Sequence, residues 1–179
     1  PYAFQTYLFR TQYNYDSKYM LELNGSYMGS ENFPPESRYG FFPSVSAAWV
    51  ISQEGFIDNN NSLEFVNLLK LRASYGEVGN DQVGSERFLW FTSWAGASQY
   101  WFGTGNNPSQ ANGWAQGAIG NPGVTWERGR QLNLALEGSL WKDALSFTLE
   151  GYKQRRSSIL IPRGTLTDVF GQNIKPQNL

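Results

Sequence analysis

An antiparallel all-β fold is predicted by three observations. Apolar and polar side chains alternate with a period of two in stretch after stretch, as a strand with one apolar face requires. Where a tight turn joins two such stretches, the apolar positions of one fall opposite those of the other. Aromatic residues make up 16% of the chain and there are 19 glycines, an enrichment that suits strands and turns.

The first strand runs from Tyr7, with Tyr7, Phe9, Thr11, Tyr13 and Tyr15 on one face and Arg10, Gln12, Asn14 and Asp16 on the other. Asp16-Ser17-Lys18 is a three-residue turn, after which Tyr19, Leu21, Leu23 and Tyr27 alternate with Glu22, Asn24 and Ser26. Residues opposed across such a turn have an even sum, so odd positions meet odd positions and the two apolar faces coincide. A slip of one residue would place Arg10 and Glu22 among the rings. Residues 30–38 read as a loop around Pro34-Pro35.

One long strand covers residues 39–52, with Phe41, Val45, Ala47, Trp49 and Ile51 on one face and Ser44, Ser46 and Ala48 on the other. Pro43 is expected at a strand start or a bulge, since it donates nothing to a ladder. Residues 52–68 form one short helical turn or an ordered connection. Within them Asp58, Asn60 and Ser62 loosely resemble a calcium loop, but Leu63 stands where that pattern needs Gly, so no metal is expected.

Leu69, Leu71, Ala73 and Tyr75 oppose Lys70, Arg72 and Ser74 in the next strand. Residues 77–123 are too long for a plain connection and read as functional or as a misassigned element. They carry Trp90, Trp94, Tyr100, Trp101 and Trp114. Gly103 to Pro108 lacks the Lys of a phosphate loop and reads as a turn. Another strand opens at Val124, with Leu132, Leu134, Leu136 and Leu140 opposed to Gln131, Asn133, Glu137 and Ser139. A two-residue turn at Lys142-Asp143 then gives odd sums, placing Leu140 opposite Leu145 and Arg130 opposite Arg155. From Pro162 the composition is loop-like.

Composition removes several functions. With 14 basic and 15 acidic residues there is no cationic surplus for nucleic acid. Without His or Cys there are no thiol nucleophiles, His bases or His/Cys zinc sites, so an enzyme would have to work with carboxylates alone, and no cofactor is expected. No apolar run approaches the roughly 18 residues of a membrane helix, and the mean hydropathy is -0.47. Alternating barrel strands escape that test. The chain begins at Pro1 without a leader pattern and reads as a fragment. On periodicity alone the strands fit either a membrane barrel or one sheet of a secreted glycan-binding β-sandwich that stacks sugars on its tryptophans. Strand lengths of ten residues or more and a polar opposite face favour the barrel.

Three stretches resemble the SusC/RagA family of TonB-linked outer membrane transporters. They are Gly40-Phe41-Phe42-Pro43-Ser44-Val45-Ser46-Ala47-Ala48-Trp49, Leu69 to Asn80 (LKLRASYGEVGN), and Val124-Thr125-Trp126-Glu127. Ala48 stands where that family often has Gly, and Val50 where it often has Arg. The resemblance implies that residues 1–179 are about six strands from the C-terminal part of a plugged barrel of roughly 22 strands in the Gram-negative outer membrane. It implies import of oligosaccharides or peptides, with the rest of the barrel and plug, a SusD-like surface lipoprotein and the TonB complex as partners. Residues 77–123 become a long extracellular loop, whose Trp90, Trp94, Tyr100, Trp101 and Trp114 would touch cargo or lipoprotein. Arg10, Gln12, Asn14, Glu22, Asn24, Arg72, Gln131, Asn133 and Glu137 would face the lumen. Arg128, Arg130, Lys153 and Arg155 would meet lipopolysaccharide phosphates at the outer rim, relieving the Arg130–Arg155 opposition.

Overall fold

A computed structural model describes residues 3–58, 63–82, 84, 87–103, 105, 109–162, 171 and 173–179. Its main element is one curved antiparallel sheet of six long strands, ordered β1-β2-β3-β4-β7-β8. These are β1 (Phe4–Tyr15), β2 (Tyr19–Ser30), β3 (Tyr39–Val50), β4 (Val66–Asn80), β7 (Glu127–Leu140) and β8 (Leu145–Ser157). Between β4 and β7 stands a separate hairpin of β5 (Trp94–Phe102) and β6 (Ser109–Gln116). The expected 77–123 connection is therefore corrected: β4 runs on to Asn80, and the loop contains a ribbon of its own. Strand periodicity there was hidden because the register shifts between Ala97 and Gln99, which breaks the alternation.

Both tight hairpins have the register that parity requires. Tyr15 pairs with Tyr19, Tyr13 with Leu21 and Tyr7 with Tyr27. Leu140 pairs with Leu145 and Arg130 with Arg155. Asp16 and Ser17 in the first turn, and Trp141, Lys142 and Asp143 in the second, all have positive φ, the twist that a short hairpin turn needs. The Ser139 hydroxyl donates to Asp143 at 2.5 Å at the second turn, and the Lys142 amide donates to Asn67 at 2.7 Å, holding that turn against the start of β4.

Pro43 lies inside β3, opposite Gly25 of β2, and marks no bulge in that ladder. The ladder from β3 to β4 begins only at Ser44, so the position without an N–H falls where pairing on that side has ended. The 52–68 connection holds a 3-10 turn, Ile51–Gln53, and a helical turn, α1 (Gly55–Asp58). The calcium-like positions Asn60 and Ser62, and the side chain of Asp58, lie outside the described residues. Val124 to Trp126 precede β7 rather than opening it, and Gln177–Asn178 (β10) pair with Leu160–Ile161 (β9) where an irregular tail was expected.

Nearly all the buried core sits at one end of the sheet. Phe33, Phe42, Leu89, Val124 and Trp126 form it, with Met28, Trp90 and Leu160 packed around. Loop segments 31–38, 87–93 and 117–126 thus close over the sheet end opposite the tight turns. The C-terminal segment straps this cap down: the Lys175 amide donates to the Ile119 carbonyl, and Asn178 bonds Thr125 in both directions. Among the described residues no second large sheet faces the first, and its apolar face stays largely exposed while much of the opposite face is half-buried. A β-sandwich instead buries a shared interior between two sheets.

Candidate functional site

One face of the six-stranded sheet is apolar. Leu21, Leu23, Val45, Leu132, Leu134 and Leu149 form an exposed aliphatic band on it. Rings flank this band. Near the tight turns, Tyr15, Tyr19 and Trp49 follow one another at 6.4 Å between centroids, and Phe65 stacks on Trp141 at 6.0 Å. Towards the capped end, Phe9 stacks on Phe41 at 6.2 Å and Tyr27 on Tyr39 at 5.2 Å. From Tyr19 to Tyr27 a strand rises about 26 Å. Tilted by roughly 40°, that becomes about 20 Å, near the height of a barrel's lipid-facing band.

Glu54, just beyond the strands at the turn end, anchors the lower girdle. Tyr19 donates its hydroxyl to it at 2.6 Å and Trp49 its indole N–H at 3.0 Å. Those bonds, that from Tyr19 foremost, hold the Glu54 carboxyl below the usual carboxylate range.

The opposite face carries a hydrogen-bonded charge network. Arg10, Gln12 and Asn24 all donate to the Glu22 carboxylate, at 2.7, 2.6 and 2.7 Å. Arg72 and Lys70 pair with Glu137 at 3.0 and 3.5 Å, and Asn133 donates to Glu150. Gln12, Asn14, Glu22, Ser46, Ala48 and Arg72 line one open hollow on this face. Gln131 lies opposite Gly76 and Gln154 in the same rows. The register thus sets the nine expected polar positions on one face, where bonds gather seven of them around Glu22, Glu137 and Glu150. Lys70 and Glu150 complete these clusters. Both alternate with leucines in the sequence, but no short turn fixes the β4–β7 register that sets Lys70 against Glu137.

Two of the four basic residues at the capped end, Arg128 and Arg130, have an internal partner that the sequence reading missed. Glu77 binds Arg128 at 3.1 Å and Arg130 at 2.8 Å, and offsets the Arg130–Arg155 opposition. Arg128 also lies over the Phe42 ring at 5.2 Å. Lys153 and Arg155 form no ion pair among the described residues. Glu77 stands directly across from Arg130 only through the β4–β7 register, which no short turn fixes in the sequence.

The five loop aromatics divide. Trp90 packs on the core cluster, its ring edge-on to Phe91 at 5.9 Å and its indole N–H buried without a partner among the described residues. Trp94, Tyr100, Trp101 and Trp114 stand exposed on the β5–β6 hairpin, so they do not form a core that orders the loop. Among the described residues no cluster of side chains suited to a metal occurs, and no helix is long and apolar enough to cross a membrane.

The family model described as "TonB dependent receptor-like, beta-barrel" matches residues 2–179. TonB-dependent receptor P26 of Formosa agariphila is 35% identical over 95% of this chain. SusC of Bacteroides thetaiotaomicron is 26% identical over 89% of it. The chain spans 16% of the length of each of these relatives. Among solved structures, the RagAB peptide importer in its "open-open" state covers 99% of the chain with a TM-score of 0.82 at 23% identity. In the "closed-closed" state the TM-score is 0.80 at 24% identity, and the chain covers 18% of the matched chain in both. At that identity the likeness establishes the barrel-wall fold.

Proposed function

This chain belongs to the TonB dependent receptor-like β-barrel family, and we propose that it forms wall and external loops of an importer of oligosaccharides or peptides in the Gram-negative outer membrane. One observation carries the reading. An aliphatic band between two aromatic girdles covers one face of the sheet while ion pairs cover the other, an arrangement that suits lipid on one side and a wet lumen or plug on the other. The short turns after β1 and β7 then point to the periplasm, and the capped end, with its long β4–β7 connection, to the exterior.

In this reading Arg10, Gln12, Asn14, Glu22, Asn24, Arg72, Gln131, Asn133 and Glu137 line the lumen or touch the plug. Residues 1–179 occupy the C-terminal part of the barrel. SusC and RagA names among the similar proteins support a SusD-like lipoprotein as partner at the external end, and the family name supports energisation through TonB. Lys153 and Arg155, which pair with no acid among the described residues, are the better candidates for lipopolysaccharide phosphates. Arg128 and Arg130 are already neutralised by Glu77.

Uptake by intact cells tests the proposal. Cells carrying the full receptor should accumulate labelled oligosaccharides or peptides that receptor-deleted cells do not. A protonophore should abolish the difference, because import through such a barrel needs energy from the inner membrane. Equal accumulation by both strains would contradict it.

A further inference from the structure

Between Arg87 and Glu127 the chain carries no charged residue, although 16% of it is charged overall. The β5–β6 hairpin lies inside that stretch. Its register places Trp94, Gln99 and Trp101 on the same face as Gln110, Asn112 and Trp114. The shift between Ala97 and Gln99 keeps the two halves of that face aligned. Tyr100 is on the reverse side with Ala111 and Gly113, and its ring lies so close over Gly113 that a Cβ there would come within 2.7 Å.

We propose that the tryptophan face of this hairpin is an external binding site for an uncharged oligosaccharide. The proposal rests on the import reading and chooses between its two cargo classes. The indoles of Trp94, Trp101 and Trp114 are 60%, 68% and 73% exposed, far more than rings placed to build a core. Gly96 lies opposite Trp114 and has nothing within 4 Å of its Cβ position, so that indole face is left open. From Trp114 to Gln110, the residue paired with Trp101, the strand advances about 13 Å, so the rings form an extended platform.

Between the rings run side-chain amides that already bond one another: Gln99 donates to Asn112 at 3.1 Å and Gln110 donates to Gln99. An amide offers both donor and acceptor without charge, matching sugar hydroxyls, while indole faces match the C–H faces of pyranose rings. A carboxylated sugar, a phosphate headgroup or a peptide terminus would call for Arg or Lys to answer its charge, and this stretch contains neither.

Purified full-length receptor in detergent, applied to an array of neutral glycans, uronic-acid glycans and peptides, tests this. Wild type should be retained on uncharged glycans. Trp94→Ala, Trp101→Ala and Trp114→Ala together should lower that affinity at least about tenfold, while Tyr100→Ala on the reverse face leaves it within about twofold. Resistance of the barrel to unfolding at room temperature in sodium dodecyl sulfate should be unchanged in every variant, which excludes misfolding as the cause. Retention only on peptides or uronic-acid glycans, no retention on neutral glycans, or equal retention by wild type and triple variant would overturn the proposal. None of those results would touch the import reading, which fails instead if receptor-deleted cells take up cargo normally.

Discussion

Gly79→Ala should destabilise this barrel wall, although the same change in an ordinary strand is favourable by about 0.5–1 kcal/mol. The backbone at Gly79 does not lie in the left-handed region, so the effect is one of space alone. A Cβ there would stand 2.1 Å from Cζ of Phe42 and 2.5 Å from both Cε atoms. Carbon atoms rest at about 3.5–4.0 Å, so the ring must retreat by roughly 1.5 Å. It has nowhere to go. Phe42 is 3% exposed, meets Trp126 edge-on at 5.4 Å, and a Cβ on Gly40 would come within 2.6 Å of it. The cost therefore falls in the overpacking range of about 1–3 kcal/mol. Phe42→Ala alone should cost about 3–5 kcal/mol by leaving a cavity. In the double variant the new methyl enters that cavity, so the pair should lose about 1–2 kcal/mol less than the sum of the single losses. Urea unfolding of the full receptor in lipid vesicles, followed by tryptophan fluorescence, measures all four corners of the cycle. A neutral Gly79→Ala, or strict additivity, would refute the packing described.

Two further outcomes follow from other parts of the sheet. Glu54 has a carboxyl held below its ordinary range by bonds from Tyr19 and Trp49. The stability it contributes is therefore present above the unfolded carboxylate value of about 4.3 and disappears as pH falls through the lower folded value. Thermal unfolding between pH 6 and pH 3 should show an acid loss in wild type that Glu54→Gln reduces, and identical pH profiles would contradict the anchor. The polypeptide 1–179 on its own should be insoluble in plain buffer, because β1 and β8 present unpaired edges and the aliphatic band faces water. A cooperative, monomeric unfolding transition without detergent would count against a membrane-barrel wall.

Much of the sheet was legible because short turns turn parity into register. Tyr13 opposite Leu21 and Leu140 opposite Leu145 follow from turn length, and a slip of one residue would separate the two apolar sets. The β4–β7 pairing was not legible, because the intervening connection is too long to constrain it. Lys70 against Glu137 and Glu77 against Arg130 were lost with that register. Nor was the capped end readable. Phe33, Leu89 and Val124 are fully buried in stretches whose Pro, Gly and Asn content signals loops, and their burial comes from three loops folding over one another. The hairpin escaped notice for a local reason, the shift that interrupts its alternation.

Water accessibility of single cysteines tests the central claim most directly, and this chain contains no cysteine of its own to confuse it. In cells producing the full receptor, Leu21→Cys and Leu134→Cys, from the aliphatic band, should resist a water-soluble maleimide. Gln12→Cys and Asn133→Cys, on the opposite face of the same strands, should react once the outer membrane is permeabilised. Ready labelling of both band positions in the folded receptor would contradict the assignment of that face to lipid.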